Sequence, residues 1–182
     1  MPHVDLLELP YFQGISIDAL VAFVDLLLPR TFAAEQVIVH EGDREPPPLY
    51  IATSGRLEIL KNTPGMGERR LAELDSPTLF GEIELFCQIP PVATVRALTE
   101  VRAFVLTRKI FDRLYAEKHP ALAHFNFNVA RVACHRLAVA DEMLARFLVG
   151  QDLVNTRRAI FAMGTEDQKW QHVTGVFKSP LR

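Results

Sequence analysis

The sequence predicts a mainly β fold with flanking helices. Between Phe32 and Thr107, short segments rich in β-branched and aromatic residues alternate with turns that contain Gly, Pro and Asp. On either side of this region the apolar residues recur with the period of a helix instead. Many short strands at close spacing are typical of a sandwich or barrel. We therefore expect a small β-barrel between an N-terminal helix and a long C-terminal helix.

The first helix is predicted from Ile17 to Leu28. Ser16 stands at the N-cap position, Asp18 lies in the first turn, and Pro29 is expected to close the helix. Six strands follow, at residues 36–40, 49–53, 56–60, 69–74, 93–98 and 101–106. The turns between them are expected at 42–43, 54–55, 64–67 and 75–77.

After Thr107 the helical period returns, first with Ile110, Phe111 and Leu114 on one face. Pro120 then begins a helix that is expected to run to about Val149 and to stop at Gly150. Two apolar stripes follow this helix. The first contains Leu122, Phe125, Val129, Val132, Val139 and Met143 and is interrupted by Arg136; the second contains Ala123, Ala130, Ala133, Leu137, Ala140, Leu144 and Phe147. One stripe can face the barrel and the other a partner, which predicts a homodimer through this helix with the second, alanine-rich stripe at the interface.

Size and composition indicate one soluble globular domain at residues 1–150 with a short tail at 151–182. Hydrophobic residues make up 49% of the 182, and the formal net charge is -2 without a basic stripe. We therefore expect no direct DNA binding, and the tail is too short for a helix-turn-helix with its supporting elements. No targeting or membrane-spanning segment is recognised, which predicts a cytoplasmic protein.

The sequence offers no arrangement typical of catalysis. Cys87 and Cys134 are far apart and are expected to be reduced thiols, buried as small hydrophobes and without a catalytic role. His119, His124 and His135 lack the spacing of a helical metal site, so no metal is expected. No Ser-His-Asp set, P-loop or carboxylate pair stands out, so we expect no enzyme and no required cofactor.

Four segments carry a family resemblance. They are residues 37–43, 49–59, Leu79-Phe80-Gly81-Glu82-Ile83-Glu84-Leu85, and 90–97. In this order they resemble the cyclic-nucleotide-binding domains of catabolite activator proteins and of the regulatory subunits of cyclic-AMP-dependent protein kinase. The resemblance covers roughly residues 8 to 145. It implies a jelly-roll barrel with a phosphate-binding cassette, a signalling function, and cyclic AMP or cyclic GMP as the possible ligand.

A cyclic nucleotide requires a cation and N–H donors for its phosphate, and an acceptor for its ribose hydroxyl. Gly81 permits a close backbone approach, and the segment from Glu82 to Phe86 is expected to present N–H groups. The resemblance implies that Glu82 accepts the ribose hydroxyl. The predicted nucleotide-binding residues are Gly81, Glu82, Ile83, Glu84, Val92, Ala93 and Thr94.

The phosphate side departs from the family pattern. Pro91 stands where the family has an arginine, two positions before Ala93-Thr94-Val95. Glu84 replaces a small residue whose N–H meets the phosphate, and its carboxylate repels that anion unless it turns outward. Gln88 replaces a glycine. Without the arginine, affinity is expected to fall on the order of a hundredfold or more.

Two interpretations remain open. In the first, the chain is a non-enzymatic regulatory module that binds a cyclic nucleotide or related ligand weakly if at all; a substitute cation could come from the four arginines Arg69, Arg70, Arg131 and Arg136. In the second, it is a ligand-independent module for dimerisation and protein–protein interaction, and the pocket is vestigial. Pro91 and Glu84 favour the second interpretation.

Overall fold

The computed structural model describes residues 9–149. A short 3-10 helix at Pro10–Phe12 precedes α1 (Ile17–Val24). Eight strands follow, with α2 (Glu82–Cys87) inserted between the sixth and the seventh. They are β1 (Leu28–Phe32), β2 (Val37–Val39), β3 (Leu49–Ser54), β4 (Arg56–Thr63), β5 (Gly67–Asp75), β6 (Thr78–Phe80), β7 (Thr94–Ala97) and β8 (Val101–Leu106). The chain continues through α3 (Arg108–Ala116) and α4 (Pro120–Val149).

The strands form two antiparallel four-stranded sheets, in the orders β1-β8-β3-β6 and β2-β7-β4-β5. The mainly β fold with an N-terminal helix and a long C-terminal helix is therefore confirmed. Strand β3 is buried on both faces, so its alternate residues serve two cores. Tyr50 and Ala52 belong to the core between the sheets, whereas Leu49 and Ile51 belong to a second core beneath the helices.

The second core fixes the position of α4. The rings of Phe12, Phe23 and Phe125 lie 4.9 to 6.0 Å apart and join the 3-10 helix, α1 and α4. The buried Asn128 side chain donates to the backbone oxygens of Tyr11 and Gln13, at 3.1 and 2.9 Å. These contacts hold the first half of α4 against the start of the chain.

Two expectations about the elements are wrong. Helix α1 ends at Val24, and Leu28–Phe32 forms β1 on the edge of a sheet, paired with β8. An edge strand tolerates Pro29 because a missing N–H there costs no ladder bond. Strand β6 was not expected at all, since its three residues are too few to show an alternating pattern. It pairs with β3 at Tyr50 and Ile51.

The apolar stripe of α4 that was expected to face the barrel does so in the first half of the helix. Leu122, Phe125, Val129 and Val132 are buried in the core beneath the helices. The structure does not describe the side chain of Phe147, nor Gly150 and the tail at 151–182. Within residues 9–149, no helix has both the length and the apolarity needed to cross a membrane.

Candidate functional site beneath the long helix

A cavity of about 780 Å³ lies between the second sheet, α2 and the second half of α4. The predicted site residues that line it are Gly81, Glu82, Ile83, Glu84, Val92 and Ala93. Thr94 is not among the lining residues: its hydroxyl accepts the Glu41 N–H at 3.0 Å, so its contact with a ligand stays a prediction. The cavity volume lies within the range of about 300 to 1,000 Å³ found for small-molecule sites.

The helix wall corrects one expectation about α4. Ala133, Leu137 and Ala140 were assigned to the stripe that faces a partner, but they line the cavity. Met143, from the other stripe, lines it as well, and so does Cys134. The second half of α4 therefore covers the site, and a ligand in the cavity would touch this helix directly. Cys87 and Cys134 are both exposed, so the expectation of buried thiols is wrong.

The cassette helix α2 begins at Gly81 in a left-handed conformation, with a φ of 83°. A Cβ atom added there would lie 2.3 Å from the Pro48 backbone oxygen. Both the backbone angle and this close approach therefore require glycine. The helix ends at Gln88, whose φ of 54° is also left-handed, and its N–H donates to the Glu84 backbone oxygen at 2.8 Å. The glycine that the family has at this position would fit that angle without strain.

Arg136 crosses from α4 to meet Glu82, the residue implied to accept a ribose hydroxyl. Its Nη1 lies 2.8 Å from Glu82 Oε1, and its Nη2 donates to the Leu79 backbone oxygen at 2.8 Å. Both side chains of the ion pair are largely buried. The sequence marked Arg136 as a charged residue that interrupts an apolar stripe. The pattern could not identify Glu82 as its partner.

Tyr11 lies behind the ion pair, fully buried. Burial raises the pKa of its phenol, and Glu82 raises it further, while the Arg136 charge acts in the opposite direction. The phenol is therefore neutral. The Tyr11 backbone oxygen accepts from Asn128, so the residue whose phenol responds to both charges also belongs to the 3-10 helix that positions α4. No pattern in the sequence indicated this role for Tyr11.

Glu84 turns into the protein. Its side chain is buried, lines the cavity, and accepts the Val92 N–H at 3.1 Å. Within the described part of the chain, this backbone donor is its one hydrogen-bond partner. Glu84 therefore does not turn outward, which is the orientation that would have removed its repulsion of a phosphate. The carboxylate takes a backbone donor in the segment where the resemblance implies phosphate contacts.

Lys61 contacts the backbone oxygen of Val92, which belongs to the peptide group that follows the N–H bound by Glu84. Its ammonium contacts Glu41 Oε1 at 2.7 Å and the Val92 backbone oxygen at 2.5 Å. Glu41 Oε2 in turn accepts the Asn62 N–H at 2.8 Å. This hydrogen bond, followed by the one from Lys61, lowers the pKa of the Glu41 carboxyl. Lys61 is not among the residues that line the cavity, so it does not replace the missing arginine.

Of the four arginines considered as substitutes, Arg136 alone lines the cavity, and it is paired with Glu82. Arg70 forms ion pairs with Glu73 and Glu58. Arg69 and Arg131 are not among the lining residues. The cavity therefore has one net negative charge from its described side chains, since two carboxylates face one guanidinium.

The comparisons agree with this architecture. The family model of the cyclic nucleotide-binding domain matches residues 29–118. The chain contains a domain of the cyclic nucleotide-binding family. It is 30% identical over 137 residues to the CRP-like cAMP-activated global transcriptional regulator of Mycobacterium tuberculosis, covering 74% of this chain and 58% of that protein.

Solved structures support the fold. The Thermus thermophilus catabolite activator protein is 25% identical with a TM-score of 0.66, over 76% of this chain and 62% of that one. The regulatory subunit of a cAMP-independent protein kinase A from Trypanosoma cruzi bound to guanosine is 23% identical with a TM-score of 0.61. The match covers 72% of this chain and 44% of that one, and at this identity it shows the fold alone.

The chain thus spans less than two thirds of these relatives. Cyclic nucleotide-binding domains are regulatory in the related proteins, which include an activated transcriptional regulator and a kinase regulatory subunit. Some other matches have enzyme names, among them a lysophospholipase and an acyltransferase. The expectations of no catalysis and no direct DNA contact therefore stay predictions.

Proposed function

We propose that this domain is a regulatory ligand-sensing module that binds cyclic AMP and cyclic GMP weakly if at all. The observation that carries the proposal is the buried Glu84 carboxylate, which faces the cavity and accepts the Val92 N–H. A cyclic phosphate placed beside it would meet a like charge in a site that also has Pro91 in place of the expected arginine.

The magnitudes favour weak binding. Two like charges about 4 Å apart repel by about 4 kcal/mol at an effective dielectric constant of 20. The missing arginine removes charge-assisted hydrogen bonds of about 1.5 to 3 kcal/mol. Since every 1.4 kcal/mol changes affinity about tenfold, either effect alone weakens cyclic-nucleotide binding on the order of tenfold to a thousandfold.

The signal would pass through α4. A ligand in the cavity touches Leu137 and Ala140 on this helix, and it lies next to the Arg136–Glu82 ion pair that ties the helix to α2. A ligand that competes for Glu82 favours helix positions in which this ion pair is rearranged. The expected response is a population shift between two positions of α4, driven by the ligand's different affinity for them.

Isothermal titration with cyclic AMP and cyclic GMP tests the proposal. We expect weak or no binding to the natural protein. In the double variant Pro91→Arg, Glu84→Ala, the affinity should rise on the order of a hundredfold or more, since a cation is gained and the Val92 N–H is released. The matched control is Ile89→Arg, Glu84→Ala, which adds the same charge two residues before the position at which the resemblance implies the arginine. Tight binding of either nucleotide by the natural protein would contradict the proposal.

One observation favours the second interpretation, the interaction module. Phe127 and Leu144 on α4 are 64% and 56% exposed and do not line the cavity, which is unusual for large apolar side chains on one helix. A homodimer through α4 would bury them, and it stays a prediction. Failure of the double variant to bind either nucleotide would favour a vestigial pocket and this interpretation.

A further inference from the structure

The cavity differs from an anion site in the balance of its charged groups. Glu82 and Glu84 both lie in the first turn of the short helix α2, and Arg136 pairs with Glu82. Nearby cations are held elsewhere: Lys61 contacts Glu41, and Arg96 contacts Glu58. The site therefore disfavours anionic ligands, including those with a phosphate or a carboxylate.

The two carboxylates also have unused hydrogen-bonding capacity. A carboxylate offers about four acceptor positions. Glu84 accepts one bond from Val92, and Glu82 accepts one from Arg136, within the chain described by the structure. A ligand that fits the site must therefore bring hydrogen-bond donors. Uncharged hydroxyl groups and a cationic amine both bring such donors, so an amine is included in the experiment below as the competing ligand class.

The rest of the wall is apolar. It includes Val39, Ile59, Leu71, Leu74, Phe80 and Val95 from the barrel and Leu137 and Met143 from α4. Phe80 is stacked on Tyr50 at 4.7 Å, which fixes its ring in the wall. An apolar wall of this kind excludes a free sugar, whose surface is polar all round, and favours a ligand with a flat, weakly polar body.

We propose that the ligand is an uncharged nucleoside, with the sugar hydroxyls donating to Glu82 and Glu84 and the base against the apolar wall. This inference rests on the proposed function, in which the domain senses a ligand but rejects the cyclic phosphate. Glu84 then has a positive role, because it accepts a hydroxyl at the place where the phosphate would otherwise be held. The same fold holds guanosine in the Trypanosoma cruzi protein, which makes guanosine a suitable probe.

The test is titration of the whole chain with adenosine, guanosine and inosine, alongside their 5′-monophosphates, cyclic AMP and the amine tyramine. We expect at least one nucleoside to bind about tenfold or more tightly than its monophosphate. In Glu84→Gln, which keeps an acceptor for Val92 but removes the charge, this preference should fall to about threefold or less. Glu73→Gln, an exposed carboxylate outside the cavity, is the matched control and should leave the preference unchanged.

Three results would overturn the inference, and they are distinguishable. If no nucleoside binds at millimolar concentration while the Pro91→Arg, Glu84→Ala variant binds cyclic AMP, the nucleoside is excluded and the proposed function stands. Tyramine binding in place of the nucleosides would exclude the ligand class in the same way. If the natural protein prefers cyclic AMP to adenosine, both the nucleoside and the proposed function are wrong.

Discussion

Glu82 and Glu84 lie two residues apart on one short helix, yet they meet opposite environments. Glu82 faces a guanidinium that comes from the other end of the fold, on α4. Glu84 faces a backbone N–H from its own cassette. The first carboxylate ties the long helix to the barrel, while the second leaves a negative charge in the cavity. One fold can therefore keep the contact between α4 and the barrel while the charge of its ligand site changes independently.

The largest effect is expected from Arg136→Met, which removes the partner of Glu82. Leaving a buried carboxylate unpaired costs about 3 to 5 kcal/mol, so the free energy of unfolding should fall by about that amount in urea denaturation. Arg113→Met is the control: Arg113 forms an exposed pair with Glu117 one turn away, and such pairs contribute about 0.3 to 0.5 kcal/mol.

A double variant separates the ion pair from simple loss of packing. In Arg136→Met, Glu82→Gln no buried charge is left, so most of the stability should return. If the double variant is as unstable as the sum of the single variants, the two side chains act independently, and the contrast between Glu82 and Glu84 loses its basis.

Much of this architecture could be predicted from the sequence. The barrel and the long helix follow from local patterns. These features repeat over many neighbouring residues, so a single sequence is enough to show them. Six of the seven predicted nucleotide-binding residues line the cavity, and their contact with a ligand stays a prediction. Strands β1 and β6 were missed because Pro29 resembled a helix end and because three residues show no period.

The contacts at the cavity join residues that are far apart in the sequence, and these could not be predicted. Arg136 and Glu82 are 54 residues apart, and Tyr11 approaches them from the start of the chain. The sequence marked Arg136 as an interruption of a stripe but could not supply its partner, since that depends on the crossing of α4 over the barrel. The inward orientation of Glu84 likewise depends on the position of Val92, whose N–H binds Glu84 and whose backbone oxygen accepts from Lys61.

An intermediate effect is expected from Gly81→Ala, which disturbs the start of the helix that carries both carboxylates. The left-handed angle costs about 1 to 2 kcal/mol, and the contact with the Pro48 backbone oxygen adds a displacement, for a total of about 2 to 4 kcal/mol. Gly65→Ala is the control, because Gly65 has a similar φ of 76° and nothing within 4 Å of an added Cβ. Equal losses of unfolding free energy in the two variants would show that the close approach at Gly81 contributes nothing.

The smallest effect is expected from the ion pair of Glu41 and Lys61, whose ammonium contacts the Val92 backbone oxygen. The pKa of Glu41 is lowered in the folded protein, first by the Asn62 N–H and next by Lys61. A lowered carboxyl pKa gives stability that is present above the unfolded value of about 4.3 and is lost as the pH falls through the folded value. Glu41→Gln should therefore be less stable than the natural protein at pH 7, and the difference in urea midpoint should shrink as the pH falls below the unfolded value of about 4.3. Lys61→Met should show part of this change, because the stronger Asn62 bond remains. A difference between Glu41→Gln and the natural protein that stays constant as the pH falls would mean that the charge of Glu41 does not stabilise its contacts with Asn62 and Lys61.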